Sequence, residues 1–274
     1  MIDALRYEWL RITTIRSTYW ISGITLVFCV GLSFLVAMAS SFAFDSEGAP
    51  AIDEITFLAP ALATQFASLQ GPYIVAYIAT IIAVFAWGHE YRHGMIRATL
   101  TAQGSRVTVW VAKYLVVAGW CLALVVTAYL LSSLVSWLWL QDDGLALVSD
   151  EWFEQFGRTV YYSLIFVWIA AAATSILRNQ TAALVAVYLW PLAIEPLIRL
   201  MLFAIPNTEQ PEKLARYLPF NAGDRVIRNS EAGRALDAFL GGEQISTEVG
   251  FVVFTGFAAL AMAVSLVLFT RRDA

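Results

Sequence analysis

Six long apolar runs constrain this chain more than any other feature. A helix that crosses the hydrocarbon core of a bilayer needs about 20 mainly apolar residues, and runs of that kind cover residues 19–41, 67–87, 111–140, 157–177, 181–205 and 247–270. Charged residues make up only 14% of the 274 and hydrophobic ones 59%, where a soluble domain carries about a quarter of its residues as charges. Mean hydropathy is +0.69. The pattern predicts an all-α integral membrane protein with six transmembrane helices in a single domain, residues 1–274. The first run is too long for the apolar core of a cleavable signal and follows a basic segment, so all six spans are expected to remain.

Lys and Arg in short loops are retained on the cytoplasmic side. Here they gather at the N-terminus (Arg6, Arg11, Arg16), between the second and third spans (Arg92, Arg97, Arg106, with Lys113 beyond), at the fourth-to-fifth turn (Arg178) and at the C-terminus (Arg271, Arg272). The loops after the first and third spans hold Asp and Glu instead, such as Asp45, Glu47, Asp142 and Asp143. The four basic segments therefore share one side, with both termini cytoplasmic in a prokaryotic plasma (inner) membrane. The net charge of −4 becomes largely an external acidic surface, which argues against nucleic acid as a partner. Residues 206–246 form the longest interruption, expected outside and partly structured, with a short helix over 231–240 ended by Gly241-Gly242.

Tryptophans near the span ends (Trp20, Trp87 and Trp110 inside, Trp137, Trp139 and Trp152 outside) read as interfacial anchors. Cys29 and Cys121 lie within spans and read as small buried hydrophobes. The opening residues 1–18 read as a helix in the inner interface, because Ile2, Leu5, Trp9 and Ile12 share one arc of a helical wheel while Asp3, Glu8 and Arg11 lie elsewhere.

Between the second and third spans stands His89-Glu90-Tyr91-Arg92-His93, an H-E-x-x-H string of the kind that holds zinc in metalloproteases. Two imidazoles one turn apart and a Glu base satisfy part of that chemistry, but His89 and His93 are the only histidines. No carboxylate in the basic segments is well placed as the third ligand, and Arg92 would put a fixed cation beside the metal. In its neighbourhood the string is instead the start of a short polar excursion between two spans. On helical geometry Glu90, His93 and Arg97 share a face, and Gly104-Ser105 offers a turn and an N-cap for the next span. In the fifth run Glu195 and Arg199 stand one turn apart inside hydrocarbon, Glu195 between Pro191 and Pro196 and Arg199 beyond Pro196. They read either as a self-neutralising pair in a bent helix or as part of a translocation path or gate. Ala170 to Ala173, Gly250 and Gly256 read as small residues that let helices approach.

The segment Glu90, Tyr91, Arg92, Gly94, Ile96, Arg97, followed by Ser105, Arg106 and Lys113, resembles the permease subunits of ABC-2 type exporters, especially actinobacterial ones. The basic N-terminal helix, the six spans, the long segment between the last two and "YLPFNAG" at 217–223 are similar to that family as well. Gly104, where the family usually has proline, is a minor departure. The resemblance implies an ABC-2 exporter fold with an N-terminal elbow helix, in which residues 89–106 are a coupling segment that docks into an ATPase. Glu90, Tyr91, Arg92, His93, Gly94, Ile96, Arg97 and Leu100 would carry that contact. Two nucleotide-binding ATPase subunits would bind ATP and Mg, and a second copy of the permease would complete a homodimer in the lipid bilayer. This chain would hold no cofactor, no metal and no catalytic residue, and the cargo would be hydrophobic or amphiphilic, such as a drug, antibiotic or lipid-like molecule. The sequence has no G-x-x-x-x-G-K-[ST] phosphate loop, in keeping with ATP handled by another polypeptide. Two other classes stand beside this one: an intramembrane zinc metalloprotease using His89-Glu90-x-x-His93, and a non-transporting membrane scaffold or immunity protein.

Overall fold

The computed structural model describes residues 1–44, 74–103, 105–140, 148, 150–203, 214–227 and 245–271. Among them every regular element is helical. In chain order these are α1 (Ile2–Thr14), α2 (Arg16–Phe44), α3 (Ile74–Arg92), α4 (Ile96–Gln103), α5 (Arg106–Leu140), α6 (Asp150–Leu177), α7 (Gln180–Leu189), a π-helical turn (Trp190–Ile194), α8 (Glu195–Phe203), α9 (Pro219–Ile227) and α10 (Thr247–Arg271). Six of the helical stretches are long and apolar enough to cross a membrane, so the chain has the make-up of a multi-pass membrane protein. The short helix expected over 231–240 and the acidic loop residues from Asp45 to Glu54 lie outside the described residues, as do Asp142 and Asp143.

The helices overrun the apolar stretches. α3 continues to Arg92 and α5 begins at Arg106, where hydropathy alone places the boundaries at 87 and 111. The reason is physical: polarity marks where lipid ends, whereas a helix continues as long as its polar side chains find partners. At 35 residues α5 is about 52 Å long, well beyond the roughly 30 Å of a hydrocarbon core.

α6 is the hub, packing against α3, α5, α7, α9 and α10, while α2 lies along α5. With no hydrophobic drive between helices in lipid, small residues and interhelical hydrogen bonds hold such a bundle. Ser33 Oγ donates to the carbonyl of Ser132 at 2.8 Å and meets Ser136 Oγ at 2.6 Å, tying α2 to α5. Trp110 Nε1 donates to Ser265 Oγ at 3.0 Å, tying α5 to α10, and Trp152 Nε1 to Ser133 Oγ at 2.9 Å, tying α6 to α5. Trp87, Trp110 and Trp152 are thus buried between helices rather than facing lipid. Their indoles are core wedges with a satisfied N–H in the latter two, and Trp20 and Trp139 remain exposed as belt residues do. Cys29 and Cys121 are buried free thiols.

α9 contains most of "YLPFNAG" and folds back between α6 and α10, burying Phe220, Ala222, Gly223 and Val226. A Cβ on Gly250 of α10 would lie 2.7 Å from the carbonyl oxygen of Ala222, and one on Gly223 about as close as 3.0 Å to the Tyr162 ring. Gly256, read alike in the sequence, has nothing within 4 Å of that position. Gly250→Ala is expected to lower stability by about 1–3 kcal/mol through overpacking against backbone, and Gly256→Ala to leave it unchanged or slightly raised. Thermal unfolding of the two variants in detergent checks both.

Candidate functional site

The four basic segments do meet at one rim of the bundle. Arg11 of α1 reaches Glu90 of α3. Arg178, between α6 and α7, lies 6.0 Å over the Tyr91 ring, and Arg106 Nη1 at the start of α5 donates to the carbonyl of Thr270 near the end of α10 at 3.1 Å. Local signals explain how the turns close there. Gly94 adopts φ +65°, a conformation that costs glycine nothing, and α3 ends around it in a Schellman turn: Met95 N–H bonds to the Glu90 carbonyl at 3.0 Å and Gly94 N–H to that of Tyr91 at 3.4 Å. Ser105 Oγ accepts from the Thr108 N–H at 3.4 Å as the N-cap of α5. Asn179 Oδ1 accepts from Ala182 N–H at 3.0 Å to start α7, directly after Arg178 at φ +51°.

Beneath this rim sits a network of four charges. Lys113 Nζ donates to Glu8 Oε1 at 2.7 Å and to Glu90 Oε1 at 2.6 Å. Arg11 Nη2 pairs with Glu8 Oε2 at 2.8 Å and donates to the carbonyl of Ala86 at 2.6 Å, while its Nη1 pairs with Glu90. The Lys113 and Glu90 side chains are each 1% exposed. Two carboxylates and two cations sum to zero, which is what permits their burial: an unpaired ion in such a place costs several kcal/mol. The network joins α1, α3 and α5.

Its geometry revises two readings of the sequence. Glu90 does not share an exposed face with His93 and Arg97; its carboxylate points inward to Lys113 and Arg11, while Arg92, His93, Gly94 and Arg97 are exposed. The helical wheel cannot foresee this, because the Schellman turn at Gly94 breaks the helix between 90 and 97. α1 likewise turns its charged edge inward, burying Ala4, Glu8 and Ile12, and leaves Ile2 and Trp9 outward. Of the other residues expected to form the coupling contact, Ile96 is buried and Tyr91 and Leu100 are partly buried against the core, so α4 stands on an apolar foot.

As a zinc site the string is poorly arranged. The His89 and His93 rings lie 6.1 Å apart, but Glu90, the would-be base, is engaged by two cations, and no group of three or more His, Cys, Asp or Glu is disposed for a metal among the described residues.

Glu195 is a third buried carboxylate, and it caps a helix. Its oxygens accept from the N–H groups of Phe220 at 3.0 Å and Asn221 at 2.9 Å, at the start of α9, and from Trp190 Nε1 at 3.1 Å. At the other end of α9 Arg158 Nη1 donates to the Val226 carbonyl at 2.7 Å. Each charge thus faces the end of the α9 dipole it stabilises. Pro191 lies within the π-helical turn and Pro196 just beyond it, where backbone donors are missing, and the turn brings Glu195 under Trp190. Arg199 donates to Asn221 Oδ1 at 3.3 Å and acts on Glu195 through its charge, so both residues hold the start of α9.

Two outcomes are expected. In a double-mutant cycle Lys113→Met alone costs about 3–5 kcal/mol by stranding Glu8 and Glu90, whereas Lys113→Met with Glu90→Gln, which leaves the Glu8–Arg11 pair intact, costs less than the sum of the single changes by about 0.5–3 kcal/mol. Unfolding midpoints in detergent supply all three values. Glu195→Ala is expected to loosen α9, read as faster amide exchange at Phe220 and Asn221, while Arg199→Ala leaves those amides protected.

Comparison with curated proteins returns no match. Residues 24–274, from within the first span to the C-terminus, match the model of the family described as "Protein of unknown function (DUF2705)", and the chain belongs to that family.

Proposed function

We propose that the chain is the permease subunit of an ABC-2 type exporter, with α1 as its elbow helix and α4 as its coupling helix. The observation that supports this most is the placement of α4. α1 meets α3 at Ala86 to Glu90 and α5 at Lys113 to Trp120, and α4 lies in the stretch of chain that joins these two contact regions. A short helix at this rim, with Arg92 and His93 outward just before it and Arg97 outward on it, has the form of a docking element. Its base is fixed through Glu90 to α1 and α5, so displacement of α4 is passed to three helices together.

In this reading two ATPase subunits bind ATP and Mg and engage α4, two copies of this chain form the membrane part, and the rim that carries the arginines faces the cytoplasm. The cargo is hydrophobic or amphiphilic, in keeping with the apolar make-up of the spans.

The test is reconstitution of the chain in liposomes with an ATPase that carries a phosphate loop and is encoded beside it. Native chain is expected to associate and to support ATP-dependent efflux. Arg92→Glu with Arg97→Glu is expected to weaken association by about tenfold or more through like-charge contact or a lost ion pair, with the permease still monodisperse. A chain that binds no ATPase and supports no efflux would refute the proposal and favour a scaffold.

A further inference from the structure

We infer that the outward surface formed by α1 and the start of α2 binds the headgroups of anionic phospholipids through Arg6 and Arg16. Burial of Ala4, Glu8 and Ile12 fixes which side of α1 faces protein. At 100° per residue, Ile2 and Trp9 then fall on the neighbouring face, and they are 80% and 48% exposed. Arg6 follows on the wheel, between those apolar residues and the exposed Asp3 and Leu10. It therefore sits at the seam between hydrocarbon and water, where a guanidinium reaches headgroup phosphates while its stem stays in apolar surroundings.

Arg16 repeats the arrangement at the head of the first span. Tyr19 and Trp20, three and four residues on, share its side of α2 and are exposed. Tyr19 packs edge-on against Trp120 of α5 at 5.5 Å, and Trp9 of α1 lies 5.9 Å from the same ring. Aromatic rings thus pin the two helices to the same residue of α5, and each arginine lies three residues from one of those rings. The charge balance selects the partner: Arg6 and Arg16 are exposed, Glu8 is turned inward onto Lys113 and Arg11, and Asp3 is the only exposed carboxylate on α1. Among the described residues neither Arg6 nor Arg16 pairs with a carboxylate. A phosphodiester attached to acyl chains matches both the cation and the apolar face beside it, which a soluble anion does not. The inference needs only that the chain sits in a bilayer, and stands whether or not an ATPase docks on α4.

The probe is tryptophan quenching in vesicles of phosphatidylcholine containing either brominated phosphatidylglycerol or brominated phosphatidylcholine, with the signal of Trp9 and Trp20 isolated by difference from Trp9→Phe/Trp20→Phe. Basic residues at a surface each favour anionic lipid by about fivefold. At low salt the native chain is expected to prefer the brominated glycerol lipid by about fivefold or more, and 0.5 M salt is expected to erase most of that preference. Arg6→Gln/Arg16→Gln is expected to abolish it and Arg6→Lys/Arg16→Lys to keep it. Equal quenching by the two lipids, a preference indifferent to salt, or one that survives in the Gln pair would overturn the inference. The salt titration on the native chain decides by itself if the Gln pair does not reconstitute.

Discussion

A buried ammonium group organises this molecule. Lys113 enters the third span with no water to solvate it, and its position is tolerable only because Glu8 and Glu90 close on it from two other helices. Two carboxylates against one ammonium would leave a net negative site, and Arg11 balances it. Ion pairs of this kind add little stability compared with a well-packed apolar substitute, but breaking one strands a charge, so the arrangement is all or nothing. That property fixes the relative positions of α1, α3 and α5 more sharply than apolar contact in lipid could. α4, which directly joins α3 to α5, takes its place from them.

The opposite end of the bundle uses charge in another way. Glu195 and Arg158 meet the two ends of α9, satisfying N–H and C=O groups that would otherwise be unpaired at membrane depth. Backbone that is not part of a span is thereby held inside the bundle, and Gly250 lets it approach α10 closely. Between these ends the spans are joined by serine, tyrosine and tryptophan bonds such as Ser33 to Ser136 and Tyr188 Oη to the Tyr77 carbonyl at 3.0 Å.

Much of this plan was legible from the sequence. Six spans, the sharing of one rim by the basic segments, the N-cap at Ser105 and the small residue at Gly250 follow from hydropathy, charge placement and residue size. What escaped were pairings between residues far apart in sequence. Glu8 and Arg11 read as the polar side of an interfacial helix and Lys113 as one more basic residue marking the cytoplasmic side, because each is weighed against water or lipid rather than against one another. The signal was present as a Glu and an Arg three apart on α1 and a Lys two turns into a span, but only topology says that they meet Glu90. In the same way the spacing of Glu195 and Arg199 pairs them with each other but does not reveal that both also bond Asn221 at the start of α9. H-E-x-x-H misleads for a related reason: Glu90 is turned away from both histidines, and Gly94 ends the helix just beyond the second one.

The measurement that bears most directly on this account is carboxyl footprinting of the native chain in a bilayer, with a water-soluble carbodiimide and amine and readout by mass spectrometry. If the four-charge network holds α1, α3 and α5 together, Glu8 and Glu90 remain unmodified while exposed Asp3 and Glu248 react. Modification of Glu90 as fast as that of Asp3 would show the carboxylate in water, and would contradict the buried network from which the position of α4 follows.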